Sequence, residues 1–249
     1  MLTQNEMLIV SKYFNDINDY VNVIKTCKYY NNILNLLHFN PIPLTNENYK
    51  YFANIQTLHL YNENDFENIN IQKIIWYNID YDTYKTDKTY IYKNIKITQN
   101  DIDKHSINIL NENINIIEID NGCFNNINLK ELIIPNSVTK INNRCFNNCN
   151  NLSKIEISTN LKKINDNNFN YCYSLKEIII PDNVIYLNHH CFNSCINLSN
   201  LILSINLKEI NDSCFNFCDN LKELVIPNNI TKISNNCFND NNNLIKIEL

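Results

Sequence analysis

The segment LKELIIPNSVTKINNRCFNNCNN (129–151) decides the fold, because four further segments of the same length follow it and align with it without a gap. They are LSKIEISTNLKKINDNNFNYCYS (152–174), LKEIIIPDNVIYLNHHCFNSCIN (175–197), LSNLILSINLKEINDSCFNFCDN (198–220) and LKELVIPNNITKISNNCFNDNNN (221–243). A further copy begins as LIKIEL (244–249), and a partial copy, INIIEIDNGCFNNIN (114–128), precedes the first. Self-similarity at a fixed period of this length is typical of a solenoid in which each repeat forms one coil.

Apolar residues at equivalent positions of the coils predict the core. A single coil is too small to bury its own apolar face, so coils stack and equivalent side chains touch. The spacing L-x-x-L-x-I places its last two apolar residues two apart, as in a strand with one buried face. We therefore predict one short parallel strand per coil, with three buried columns: Leu129, Leu152, Leu175, Leu198, Leu221 and Leu244; Leu132, Ile155, Ile178, Leu201 and Leu224; and Phe124, Phe146, Phe169, Phe192, Phe215 and Phe238.

Asparagine is expected to take over the turn positions that glycine usually fills. The chain has 55 asparagines and a single glycine, Gly122, and asparagine tolerates left-handed backbone better than other residues with a β-carbon. We predict the left-handed turn four residues before each phenylalanine, at Asp120, Asn142, Asn165, Asn188, Asn211 and Ser234. Amides that directly follow the phenylalanines are expected to bond backbone groups and one another: Asn125, Asn147, Asn170, Asn193, Asn216 and Asn239.

A longer period lies over the first. Pro135, Pro181 and Pro227 recur every 46 residues, while Ser158 and Ser204 fill the same position of the alternate coils. This alternation indicates that a pair of coils was the unit of duplication.

The pattern L-x-x-[LI]-x-[IL]-P-x-x-[VI]-x-x-I-x-x-x-C-F-x-x-C resembles the BspA-like class of leucine-rich repeats, strictly over about half of the chain. The resemblance implies an α/β fold: a leucine-rich-repeat solenoid of 23-residue coils with one parallel β-sheet and short helical or 3-10 turns on the other side. Members of this family are bacterial and protozoan repeat proteins, often surface-associated and implicated in adhesion to host proteins or cells. The resemblance therefore also implies a protein-binding scaffold rather than an enzyme.

The front of the chain has a different pattern, with apolar residues near helical spacing over residues 5–37. We predict a small helical N-terminal cap, with Asp19 capping a helix. The segment NDYVNVIKTCKYYNNIL (18–34) also resembles the second half of an F-box, although Asn5 and Glu6 stand where that family has its Leu-Pro start. The residues that carry this resemblance are Asp19, Val23, Cys27, Lys28 and Tyr30. These helices have two alternative roles. They either cover the open end of the solenoid or dock on a ubiquitin-ligase adaptor.

Three regions follow from these patterns. Residues 1–45 are predicted to form the helical, F-box-like cap, residues 46–111 degenerate leucine-rich repeats, and residues 112–249 regular BspA-like repeats. Within the degenerate region, NIQTLHLYN (54–62) and NIQKIIWYN (70–78) keep a strand signature. Pro41 and Pro43 mark the boundary between helices and repeats.

The ten cysteines invite a metal-site interpretation, but the repeat explains nine of them better. They fill two small apolar columns, directly before each phenylalanine and three residues after it, and we predict reduced core thiols without metal or cofactor. His189, His190 and Cys191 are the one cluster that resembles a thiol catalytic pair. Other coils carry unrelated polar residues there, so we predict a solvated turn and no catalytic residue.

Charge and hydropathy exclude several partners. The net charge is −5, residues 129–249 hold 11 basic and 11 acidic side chains, and the sequence contains no basic run, so a nucleic-acid partner is not expected. No apolar stretch approaches the roughly 20 residues of a membrane span. The start MLTQNEMLIVSKYF lacks the pattern of a signal peptide, which favours a cytoplasmic location, whereas the family resemblance implies the cell surface.

Outward strand positions predict a binding face for a protein partner. An aliphatic row edged with carboxylates suits a partner that offers apolar anchors and basic residues. The predicted partner-binding residues are Glu131, Ile133, Glu177, Ile179, Ile202, Glu223 and Val225. The alternative function is that of an F-box-like substrate-recognition subunit of a ubiquitin ligase.

The last coil ends within its strand and has no polar cap in the sequence. Leu244 and Ile247 would then lie at an open sheet edge, which is a template for another strand. We expect this coil to be the least ordered one or to form a homodimer with a second chain.

Overall fold

The computed structural model describes residues 2–67, 69–112 and 114–248, apart from the side chain of Gln4. Two compact units are present: Met1–Ile79 with Thr83–Asn94, and Asp80–Asp82 with Ile95–Leu249. The helices are α1 (Gln4–Ser11), α2 (Ile17–Thr26), α3 (Tyr81–Thr86) and α4 (Gln99–His105), with 3-10 turns at Lys28–Tyr30, Ile33–Leu36, Tyr49–Tyr51 and Ile107–Asn111. The strands are β1 (Thr57–Leu60), β2 (Gln72–Ile75), β3 (Ile79–Asp80), β4 (Ile91–Tyr92), β5 (Ile95–Ile97), β6 (Ile116–Ile119), β7 (Glu131–Ile133), β8 (Lys140–Ile141), β9 (Lys154–Glu156), β10 (Lys163–Ile164), β11 (Glu177–Ile179), β12 (Tyr186–Leu187), β13 (Asn200–Ile202), β14 (Glu209–Ile210), β15 (Glu223–Val225), β16 (Lys232–Ile233) and β17 (Lys246–Glu248).

The first unit combines α1, α2 and the parallel strands β1, β2 and β4. Strands β1 and β2 coincide with the two degenerate repeat segments. The side chains of Tyr20, Leu37, Phe52 and Leu58 are buried together in its core. The Tyr20 hydroxyl donates a 2.5 Å hydrogen bond to the carbonyl of Ser11, which satisfies the polar end of this ring.

Helix α2 begins one turn earlier than the sequence indicated, so the assignment of Asp19 as its cap was wrong. The carboxylate of Asp16 accepts from the amides of Asn18 and Asp19, whereas Asp19 is the third helical residue and its carboxylate accepts from the amides of Asn15 and Asp16. The two aspartates form a reciprocal capping box.

The second unit confirms the predicted solenoid with a 23-residue period. Strands β7, β9, β11 and β13 are parallel and in register, and β15 pairs with β17 in the same way. A second row, not predicted from the sequence, consists of the two-residue strands β10, β12, β14 and β16. Strand β8 pairs instead with β6, which in turn pairs with β5. Each of the five complete coils (129–243) therefore contributes two strands.

The phenylalanine column is a continuous ring stack. Rings from Phe124 to Phe238 lie parallel within 5–8° and 5.2–5.7 Å apart. Five of the six rings are fully buried, and Phe238 is half-buried. The predicted leucine column is likewise buried from Leu152 to Leu221, with its outer members Leu129 and Leu244 partly exposed.

The left-handed residues do not lie four before each phenylalanine, and that prediction was wrong. Each coil instead has two of them, one two residues before the phenylalanine and one two residues after it, with φ between 53° and 62°. They are Gly122, Asn126, Arg144, Asn148, Asn167, Tyr171, His190, Ser194, Ser213, Phe217, Asn236 and Asp240. Inter-coil backbone bonds such as Arg144 N–H to Asp166 C=O (3.0 Å) and Phe146 N–H to Asn168 C=O (3.0 Å) hold this turn, whatever side chain occupies it.

Asparagine amides connect neighbouring coils, but the predicted column after the phenylalanines does so only in part, since the side-chain oxygen of Asn216 is buried without a hydrogen-bond partner among the described residues. The Asn193 amide donates to the Asn170 side-chain oxygen at 2.9 Å. A second column of asparagines lies in the turn that connects the two strands of a coil. Their side-chain amides donate to backbone carbonyls of the preceding coil at 2.7–2.9 Å. The members of this column are Asn160, Asn183, Asn206 and Asn229. These bonds satisfy turn carbonyls that no strand reaches.

Proline and serine coils alternate along the solenoid. Ser158 is fully buried, and its hydroxyl donates to the carbonyl of Val138 in the preceding proline coil at 2.5 Å. Both coil types close the same turn, since Val138 N–H bonds the Pro135 carbonyl and Leu161 N–H bonds the Ser158 carbonyl.

We expect Arg144→Gly to raise the free energy of unfolding by about 0.5 to 1 kcal/mol. Arg144 is exposed with a φ of 58°, where a β-carbon costs roughly 1–2 kcal/mol, and the greater freedom of an unfolded glycine offsets part of the gain. Urea denaturation measures the change. Arg144→Ala keeps the β-carbon and should give no gain; an equal gain from both variants would contradict the explanation.

Candidate partner-binding face

The predicted binding residues lie at outward positions of the first strand of each coil. The exposed fractions of the aliphatic side chains are 64% for Ile133, 62% for Ile179, 50% for Ile202 and 60% for Val225. Alternation within each strand causes this exposure, because the central residue of each, for example Ile178, is buried. Glu131, Glu177 and Glu223 begin their strands and are also exposed. We call the outward residues of β7, β9, β11, β13, β15 and β17 the first-strand face.

Strand register decides which of these residues become neighbours. Ile179 pairs with Ile202, and Glu177 with Asn200. Glu156 lies opposite Ile133 and separates it from Ile179 in the row. Glu223 and Val225 belong to the next ladder, where they pair with Lys246 and Glu248. The structure thus assembles an aliphatic row with one carboxylate set into it.

A depression of about 390 Å³ lies on this face where Glu156 interrupts the row. Its apolar part includes Ile155, Ile157, Ile179 and Pro181, and its polar rim includes Lys154, Glu156, Thr159, Glu177 and Asn200. It is large enough for an apolar side chain of a partner, with carboxylates at its edge.

Carboxylates outnumber ammonium groups on the first-strand face. It carries Glu131, Glu156, Glu177, Glu223 and Glu248 against Lys154 and Lys246. Lys154 lies 3.7 Å from Glu156, and Lys246 pairs with Glu248, which raises the pKa of that lysine. The face is therefore acidic as a whole.

The core cysteines of the second unit are buried thiols that hydrogen-bond to backbone. In one column, Cys149, Cys172, Cys195 and Cys218 each point at the carbonyl of the phenylalanine one coil earlier, at 3.0–3.2 Å. In the other, the Cys145 thiol lies 3.0 Å from the carbonyl of Asp120. Burial raises the pKa of the Cys145 thiol to about 12. Across the described residues, no group of His, Cys, Asp and Glu side chains is arranged to hold a metal ion.

The side chains of His189, His190 and Cys191 lie in different environments. The ring of His189 is exposed, with Nδ1 3.4 Å from a carboxylate oxygen of Asp212. His190 has a left-handed φ of 55°. The Cys191 thiol is buried and donates to the carbonyl of Asn188 at 2.9 Å.

The residues of the F-box resemblance lie in and after α2. Val23 and Cys27 are half-buried, Lys28 is exposed, and Tyr30 is buried with its hydroxyl 2.7 Å from the carbonyl of Leu2. An adaptor-binding role for this helix stays a prediction.

Sequence reasoning missed a second charged surface. We call the exposed and half-buried residues of and just before β8, β10, β12, β14 and β16 the second-strand face. It carries Thr139, Lys140, Lys162, Lys163, Ile185, Tyr186, Lys208, Glu209, Thr231 and Lys232. The signal was present in the dipeptides TK, KK, IY, KE and TK, each of which directly precedes an isoleucine or leucine.

Comparisons with solved structures give, among others, two bacterial leucine-rich repeat proteins and a pneumococcal vaccine antigen. One from T. pallidum has a TM-score of 0.47 and 24% identity, covering 48% of this chain and 58% of that chain. One from Bacteroides ovatus has a TM-score of 0.48 and 20% identity over 78% and 53%, and the pneumococcal vaccine antigen PcpA has 0.40 and 15% over 78% and 60%. The chain thus spans 53–60% of the length of these structures. No curated protein matches the sequence. None of the helices in the described parts of the chain has the length and apolar character to cross a membrane.

The family assignment rests on the sequence profile of the BspA type leucine-rich repeat region. It matches residues 117–245 in six copies, which is more than half of the 249 residues. The matched residues are those of the stacked coils with the phenylalanine column. The chain therefore belongs to the BspA-type leucine-rich repeat family.

Proposed function

We propose that the chain is a protein-binding scaffold whose first-strand face holds a segment of a partner protein. The observation that carries the proposal is the exposed row of Ile133, Ile179, Ile202 and Val225 on a rigid sheet. A row of this kind has no role in the core of the coil that displays it, and exposed aliphatic patches mark interaction sites. Adhesion to a host or partner protein is the setting that the family resemblance supports.

The partner segment should combine an apolar anchor with basic residues. The depression beside Ile179 accepts the anchor, since its lining is mainly apolar. Glu156 and Glu177 at its rim would meet Lys or Arg side chains of the partner. Apolar anchors in such pockets supply most of the affinity of an interface, and rim charges mainly supply specificity and rate.

The test is a selection of random peptides displayed on phage against the whole chain, followed by binding measurements with the double variant Ile179→Asp, Ile202→Asp. We expect selected peptides rich in apolar and basic residues. Their affinity should fall at least about 100-fold for the variant, because two buried carboxylates would replace two apolar contacts.

Ile205→Asp is the matched control, because Ile205 is 62% exposed but lies in the turn after β13. It should leave peptide affinity within about twofold, and circular dichroism should show all variants folded. Peptides that bind the double variant as tightly as the unchanged chain would refute the assignment of this face.

A further inference from the structure

The second-strand face has the opposite charge balance from the first-strand face. Five exposed lysines come from four coils: Lys140, Lys162, Lys163, Lys208 and Lys232. Glu209 is the carboxylate of this surface. Glu118 borders the surface next to Lys140, and its Oε1 lies 2.8 Å from the Lys140 ammonium. Three positive charges remain in excess after this pairing, although the repeats as a whole are neutral. Folding therefore creates a basic surface that the linear sequence does not contain.

A depression of about 400 Å³ lies at the break between two strand ladders on this face. Strand β8 belongs to the ladder with β6, and β10 begins the ladder with β12. Lys140, Lys162 and Lys163 line the depression. Its apolar side is formed by Ile141, Ile185 and Tyr186. The Lys140 ammonium pairs with Glu118, and the Lys162 ammonium donates to the Asn183 side-chain oxygen at 3.3 Å.

We propose that the second-strand face binds an anionic polysaccharide, with one sulfate or carboxylate group seated in this depression. The polymer would cross Tyr186, whose half-buried ring offers a face to a sugar. It would continue to Lys208 and Lys232. At about 4.8 Å per coil, Lys140 and Lys232 are roughly 19 Å apart, so one chain can reach all five lysines.

The residue types favour a polysaccharide over a nucleic acid. Nucleic-acid recognition relies on arginine forks and on repeated aromatic platforms for the bases. The second-strand face has only lysines as cations and a single aromatic ring, Tyr186. The exposed hydroxyls of Thr139 and Thr231, which donate to backbone carbonyls, can instead accept hydrogen bonds from the hydroxyl groups of a sugar chain. This site is separate from the first-strand face, and it does not depend on the proposed protein partner.

The experiment measures binding of the whole chain to heparin by surface plasmon resonance, with neutral dextran as reference. We expect heparin to bind and dextran not to bind, and the heparin affinity to fall steeply between 0.1 and 0.5 M salt. The variant Lys162→Glu, Lys163→Glu should bind heparin at least about tenfold more weakly. Hydrogen exchange should show heparin protecting residues 139–165 in the unchanged chain.

The matched control is Lys176→Glu, Lys222→Glu, which changes net charge equally at exposed positions directly before β11 and β15. It should keep the heparin affinity within about threefold. Equal weakening by both variants would overturn the site, because it would show a response to net charge alone. A lack of heparin binding, or tighter binding of a single-stranded oligonucleotide of matched charge, would overturn the ligand class.

Discussion

Replacing Phe169 with alanine should lower the free energy of unfolding by about 3 to 5 kcal/mol. Its ring is 1% exposed and stacks between Phe146 and Phe192 at 5.2 Å on each side. The backbone of neighbouring coils is fixed by inter-coil hydrogen bonds, so the cavity cannot collapse freely. In a solenoid each coil contacts only its neighbours, and a cavity in the middle also weakens the coupling between the two halves. Urea denaturation followed by circular dichroism measures the loss.

The same substitution at Phe238 is the control. That ring is half-buried and has Phe215 as its stacking neighbour, 5.7 Å away. We expect a loss of about 1 to 2 kcal/mol there, since less apolar surface leaves the core. Equal losses at the two positions would contradict a column whose stability comes from neighbours on both sides.

Raising the pH from 8 to 10 should destabilise the protein by several kcal/mol. Burial raises the pKa of the Cys145 thiol to about 12 and that of Cys237 to about 11, and it also raises the pKa values of Cys123, Cys172, Cys195, Cys214 and Cys218. Unfolded thiols ionise near pH 8.5. Above that pH the unfolded chain loses protons that the folded chain keeps, so stability is intact below about pH 8.5 and falls as pH rises.

The size of this effect follows from the number of thiols. Each one costs roughly 1.4 kcal/mol per pH unit between its unfolded and folded pKa values. Cys149 is left out of the sum, because a hydrogen bond from Cys172 favours its thiolate and lowers its pKa. Even three such thiols would remove about 4 kcal/mol per pH unit, a large part of the 5–15 kcal/mol that holds typical domains together.

Urea midpoints on fresh samples at pH 7.5, 8.5 and 9.5 measure this loss below the ordinary tyrosine pKa of about 10. Cys214→Ala removes one fully buried thiol and should reduce the pH dependence by roughly 1.4 kcal/mol per unit, whatever its effect at pH 7.5. Cys27→Ala removes a half-buried thiol outside the columns and serves as the control. Stability that stays flat from pH 7.5 to 9.5 would contradict the prediction.

The coils and their buried columns could be predicted because the same side chain returns at the same place. A column such as Phe146, Phe169 and Phe192 leaves only one arrangement in which the rings touch. The outward positions of Ile179 and Ile202 follow from strand alternation alone. Which partner meets them cannot be derived, because the sequence of one chain contains no record of the other.

The turns could not be predicted from residue preference. Asparagine suggested a left-handed backbone at Asn142 and its equivalents, but the left-handed sites are occupied by residues as unsuited as Tyr171 and Phe217. Inter-coil bonds, such as Tyr171 N–H to Asn193 C=O at 2.9 Å, impose this geometry. Tertiary hydrogen bonding overrides the small preference of any one side chain.

The second-strand face was missed for a different reason. Its strands are two residues long and show at most one buried residue, such as Ile141 or Leu187, so no alternation is visible. Lysines from separate coils become neighbours only when the coils stack. The basic surface is therefore a property of the stack and not of any segment of the chain.

The alternation of proline and serine coils makes the length of this solenoid change naturally in steps of two. Deleting residues 152–197 would set the coil that begins at Leu198, with its buried Ser204, directly on the Pro135 coil. The bond that Ser158 now makes to Val138 could then form again from Ser204. Deleting one coil would instead set Pro181 on Pro135 and leave the Val138 carbonyl without a hydroxyl donor. A shortened or lengthened relative should thus differ by whole 46-residue units. Each unit contains one proline coil, one serine coil and the serine hydrogen bond between them.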